Sequence, residues 1–77
     1  MKTIASTLYF KSKKFILAYL ETHESASTEE LINYVSNQDA ECRDKVPQAL
    51  ISMVKEKKIA KAISKEKKGF IWYILST

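Results

Sequence analysis

The chain has 77 residues, 45% of them hydrophobic and 29% charged, with a formal net charge of +4. A chain of this length buries only about 60% of the surface it exposes when unfolded, which gives one small core and excludes a deep catalytic cleft. A single glycine and a single proline exclude long flexible linkers.

Cys42 is the sole cysteine, so no disulfide can form within the chain. No signal peptide and no apolar run of membrane-spanning length is evident, and the expected location is cytoplasmic. The charges are segregated. Residues 1–20 carry four lysines and no acid, residues 21–44 carry seven acids against Arg43, and residues 45–68 carry eight lysines against Glu56 and Glu66. An acidic middle followed by a basic end is the asymmetry that a function has to explain.

In chain order, Ser6 or Thr7 is positioned to cap a first helix through Leu8, Phe15, Ile16, Tyr19 and Leu20, or Ser12 to cap a shorter one. Both versions end near Glu21 to His23. Lys11, Lys13 and Lys14 flank the apolar face. Ser25-Ala26-Ser27 has room only for a bridge of strand. Ser27-Thr28-Glu29-Glu30 then fits a capping box, with Ala26 against Leu31 as a hydrophobic staple. The second helix turns Leu31, Ile32, Tyr34 and Val35 inward and stops in the turn formers Ser36 to Asp39.

About seven residues separate that stop from the third helix, more than the three or four of a regular helix-turn-helix, so an extra half-turn of helix is expected in the connection. The alternative, a third helix that begins at Asp39 and bends at Pro47, would cost roughly 3 kcal/mol for a mid-helix proline. From Asp44, a plausible N-cap, Val46, Ala49, Leu50, Met53 and Val54 recur at helical spacing, and Pro47 sits within the first turn. Lys45, Gln48, Ser52 and Lys55 occupy the outward face, with Arg43 just upstream.

The period changes after Lys58. Ile59 to Ser64 alternates, Lys65-Glu66-Lys67-Lys68-Gly69 is a turn ending in the only glycine, and Phe70 to Leu75 is a strongly strand-forming run. One face of that last strand must close the core. The other is a candidate partner surface, which Tyr9 and Phe10 are placed to cover.

The stretch D-K-V-P-Q-A-L-I-S-M-V-K-E-K-K-I resembles the T-V-x-R-A-L-x-x-L-x-x-x-G-x-I run of winged helix-turn-helix DNA-binding domains. It departs from it in Lys45 for the Thr, Gln48 for the Arg and Lys57 for the helix-ending Gly. In length and layout the chain is similar to the FaeA-like regulators of fimbrial operons, through Lys13-Lys14-Phe15-Ile16-Leu17-Ala18-Tyr19-Leu20 and the aromatic terminal strand. The resemblance implies a single α+β domain over residues 1–77, a winged helix-turn-helix of three helices followed by a two- or three-stranded antiparallel wing. Of the features that mark Z-form nucleic-acid binders only a tryptophan, Trp72, is present.

The implied function is a DNA-binding transcriptional regulator. In a major groove Gln48 matches an adenine edge and Lys45 a guanine or a phosphate. Arg43, Ser52 and Lys55 complete the helix face, and Lys61, Lys65, Lys67 and Lys68 form a wing that follows phosphates. Against this stands an ordinary solvated helix face, and hairpin lysines that only oppose edge aggregation. A second hypothesis is a protein-interaction module or homodimer using Phe70, Trp72 and Tyr73. A third, single-strand binding, needs Trp72 exposed. Cys42 reads as an inert thiol in a polar loop and His23 as a cation at a helix end. The chain shows no phosphate loop, no nucleophile with a base and no metal-ligand spacing, so neither enzyme activity nor a cofactor is expected.

Overall fold

A computed structural model describes residues 4–75. Its elements in order are α1 (Ile4–Thr22), β1 (Ala26–Ser27), α2 (Thr28–Gln38), a 3-10 helix (Ala40–Lys45), α3 (Val46–Lys55), β2 (Ile59–Ser64) and β3 (Gly69–Ile74). The strands form one antiparallel sheet in the order β1-β3-β2, giving an α+β domain of three α-helices and a three-stranded sheet. Among the described residues no helix is long and apolar enough to cross a membrane.

Ser6, Thr7 and Ser12 all fall inside α1, so none of them caps it. Ser12 is instead fully buried. Its hydroxyl lies 2.8 Å from the Leu8 carbonyl and 3.2 Å from that of Cys42, so a polar group in the core is satisfied by its own helix and by the facing 3-10 turn. At the other end of α1, His23 stacks on Tyr19 with centroids 3.9 Å apart, and its Nδ1 lies 2.8 Å from the Tyr19 carbonyl.

The capping box forms as the sequence indicates. The Glu30 N–H donates to Ser27 Oγ at 3.1 Å and the Ser27 N–H to Glu30 Oε1 at 2.8 Å, while Ala26 and Leu31 are both buried. Ser27 also ends β1, so one residue closes the strand and opens α2. The connection after α2 is helical as expected, but it is a six-residue 3-10 helix and not a half-turn, started by Asp39, whose carboxylate accepts from the Glu41 N–H at 3.1 Å.

This 3-10 helix changes two expectations. Asp44 lies within it and does not cap α3; the chain passes from Lys45 into α3 with no side-chain cap, and the Val46 N–H finds the Arg43 carbonyl. Cys42 is fully buried in the core and not in a polar loop, because the tight turn directs it inward beneath α1.

The exit of α3 is sharp despite the missing glycine. The Lys58 N–H bonds to the Met53 carbonyl and the Lys57 N–H to that of Val54, each at 3.0 Å, with Lys57 at φ 63°. This is a Schellman motif with lysine in the left-handed position, a conformation that costs a non-glycine residue about 1–2 kcal/mol. The hairpin does the same: Lys68 takes φ 55°, whereas Gly69 has no positive φ and already pairs with Ser64 as the first residue of β3. The turn therefore does not use its glycine for conformational freedom.

Pairing of Ile59 with Ile74, Lys61 with Trp72 and Ile63 with Phe70 puts these six side chains on one face of the sheet. Ile59 and Trp72 are buried there against Ile16 and Leu20 of α1, Leu31 and Val35 of α2, and Val46, Ala49, Leu50 and Met53 of α3. The indole Nε1 of Trp72 donates to Thr28 Oγ1 at 2.8 Å, locking the central strand to the start of α2. On the outer face Tyr73 and Leu75 are exposed. Tyr9 and Phe10 do not cover them, because α1 packs on the helical layer; Tyr9 lies beside α3 and Phe10 over Leu17 and Met53.

Candidate nucleic-acid interface

Four-residue periodicity leaves one ridge of α3 in solvent. Pro47, Gln48, Ile51 and Lys55 are exposed along it, and Ser52 beside them is half-buried, with its hydroxyl 3.5 Å from Glu56 Oε2. Gln48, Ile51, Ser52 and Lys55 line a hollow of about 280 Å³ whose far wall is Tyr9 of α1. Arg43 is exposed on the 3-10 helix, and Lys45 is half-buried where it meets α3.

A second hollow of about 210 Å³ joins α3 to the hairpin, lined by Ile51, Val54, Lys55, Lys61 and Trp72. Lys61 is held there by aromatic faces: its Nζ lies 4.6 Å from the centroid of Phe70 and 5.9 Å from that of Trp72. The ammonium thereby shares this hollow with Lys55. Ile51 lines both hollows and forms the crest between them.

The hairpin tip lies elsewhere. Lys67 Nζ sits 2.6 Å from Glu30 Oε1, and Lys67 and Lys68 share a hollow with Ser27, Thr28 and Glu29 at the start of α2. The ammonium of Lys67, then the Ser27 N–H, hold the Glu30 carboxyl below its ordinary range. Lys65 and Lys68 are exposed on the turn. Glu29 and Glu30 of the acidic segment thus abut the basic hairpin. Of the nine sequence-predicted residues, Gln48, Ser52, Lys55 and Lys61 converge, Arg43 and Lys45 continue their line, and Lys65, Lys67 and Lys68 gather at the tip.

The three aromatic residues proposed for a partner do not share a surface. Trp72 is only 6% exposed, and Phe70 and Tyr73 point to opposite faces of β3. Phe70 has instead a cross-strand neighbour, Ile63, which is 77% exposed and the most exposed large hydrophobic residue described. Sequence alternation assigns Ile63 to the core face, and its exposure follows from the hairpin extending past the helical layer. Tyr9 was not anticipated at the α3 face either; its signal was a first helix that starts early enough to reach it.

Among the described residues no group of three or more His, Cys, Asp or Glu side chains is placed to hold a metal ion. The chain matches no protein-family model, no curated protein and no solved structure.

Proposed function

We propose that the protein is a winged-helix DNA-binding regulator, with α3 as the groove-reading helix and the β2–β3 hairpin as the wing. The observation that carries this reading is the shared hollow of Lys55 and Lys61, which joins the exposed ridge of α3 to the hairpin. A helix of ten residues with an exposed ridge is the element that a major groove of about 12 Å width admits. Lys61 beside α3, and the exposed lysines at the hairpin tip, supply backbone contacts that carry affinity without sequence information. Titration of isotope-labelled protein with a 20-base-pair duplex tests the reading. Amide shifts concentrated at Gln48, Ile51, Lys55 and Lys61 support it, and shifts confined to α2 and the outer sheet face contradict it.

A second reading is supported by Ile63 and Phe70, an apolar pair on a hairpin whose β2 is an edge strand. Such a pair suits a protein partner. Sedimentation that reveals a concentration-dependent dimer, disrupted by Ile63→Lys and accompanied by no duplex binding, favours it over the DNA reading.

A further inference from the structure

The ridge of α3 is chemically uneven. Its middle carries Gln48 and Ile51, with Pro47 beside them, and lysines stand only at its two ends, Lys45 and Lys55. The chain's one arginine, Arg43, lies outside the helix. In a major groove, guanine is read chiefly by arginine and lysine, adenine by glutamine or asparagine through N6 and N7, and thymine by apolar contact with its C5-methyl group. The middle of this helix therefore holds an adenine reader and an apolar group and no guanine reader.

Ile51 is 56% exposed, although Leu50 before it and Met53 two residues on are both buried in the core. It crests the ridge between the hollow walled by Tyr9 and the hollow holding Lys61, so any groove that receives this helix meets Ile51 first. Gln48 and Ile51 are three residues apart, about 4.5 Å along the helix axis, against a base-pair rise of about 3.4 Å. That spacing is close to one base-pair step, which lets the two side chains address adjacent base pairs. An isoleucine at such a position gains nothing from phosphate or from the polar edge of a G·C pair, and gains apolar burial from a thymine methyl.

We infer that the protein reads consecutive A·T base pairs in the major groove, with the Gln48 amide on adenine N6 and N7 and the Ile51 side chain against a neighbouring thymine C5-methyl. This rests on the DNA-binding reading and specifies its substrate class. The Gln48 carbonyl accepts from N6 and its NH₂ donates to N7, so both hydrogen-bonding groups of the side chain are used. Lys45 and Lys55, at the ends of the helix, serve phosphates on either side.

The test uses three 20-base-pair duplexes, one with an all-A·T core, one with an all-G·C core, and the A·T core with deoxyuridine for thymidine. Uracil keeps the pairing and removes only the methyl. Binding is followed by fluorescence anisotropy with wild type, Ile51→Ala and Gln48→Ala. Both substituted side chains are exposed, and an unchanged thermal midpoint verifies that the variants fold. Wild type is expected to prefer A·T over G·C and to lose roughly fourfold in affinity for each contacted methyl removed. Ile51→Ala is expected to bind the thymine and uracil duplexes equally, and Gln48→Ala to keep the methyl effect while losing part of the A·T preference. Equal wild-type affinity for thymine and uracil duplexes overturns the inference and leaves the DNA reading standing. Failure to bind any of the three at micromolar protein removes the DNA reading itself.

Discussion

Lys67 Nζ lies 2.6 Å from Glu30 Oε1, so the tip of the hairpin is tied to the N3 glutamate of the α2 capping box. A wing lysine that contacts phosphate must leave this carboxylate. Glu30→Gln is therefore expected to strengthen duplex binding and steepen its salt dependence, while costing about 0.2–1 kcal/mol of stability for a partly exposed pair. The charge-reversing pair Lys67→Glu with Lys68→Glu has the opposite effect on binding, weakening it for all sequences alike. Anisotropy titrations at two salt concentrations separate these outcomes, and identical affinity in wild type and Glu30→Gln would show that the tip does not contact DNA.

Backbone conformation gives a prediction independent of function. Lys57 is in the left-handed region at the exit of α3, so Lys57→Gly is expected to raise stability by about 1 kcal/mol, measured by chemical denaturation. Gly69 has no positive φ and an added Cβ would meet nothing within 4 Å, so Gly69→Ala is expected to be neutral or stabilising by up to about 1 kcal/mol. Destabilisation by Gly69→Ala would contradict the assignment of the turn strain to Lys68.

Trp72 is buried and its indole N–H bonds to Thr28. Its fluorescence is expected to resist acrylamide and to show no stacking quench on adding single-stranded DNA. Trp72→Phe leaves Thr28 without that donor and is expected to cost at least about 1 kcal/mol. Strong quenching by single-stranded oligonucleotides would revive base stacking as a role.

Three carboxylates are held below their ordinary range, Glu30 by Lys67, Asp39 by Lys11 and Glu56 by Lys13. A depressed folded-state value means that each stabilises the fold while ionised. Their contribution is present above the unfolded values, 4.5 for glutamate and 3.8 for aspartate, and is lost as pH falls through the lowered ones. Stability is expected to decline below about pH 4.5, less steeply in Glu30→Gln. A profile flat down to pH 2 would show that these exposed pairs contribute nothing.

Features encoded locally were legible in the sequence. The Ser27–Glu30 capping box, the Pro47 helix start and the apolar periods of α3 and β3 depend on neighbours within a few residues. Features that depend on packing were not. Cys42 turns inward because a 3-10 helix, and not a loop, carries it; Tyr9 reaches α3 because α1 packs along that helix; and Lys67 is paired by a residue 37 positions away. At the candidate site, the α3 face was readable from helical spacing. The meeting of Lys55 with Lys61 and the exposure of Ile63 required the hairpin's position relative to α3.

The most direct test of the DNA-binding surface is the salt dependence of duplex affinity in wild type and in the double variant Lys55→Ala with Lys61→Ala. If α3 and the hairpin bind one duplex together, log affinity falls linearly with log salt and the double variant's slope is shallower by about 2, with weaker binding throughout. An unchanged slope in the double variant, or no duplex binding by wild type at micromolar protein and low salt, would contradict the account.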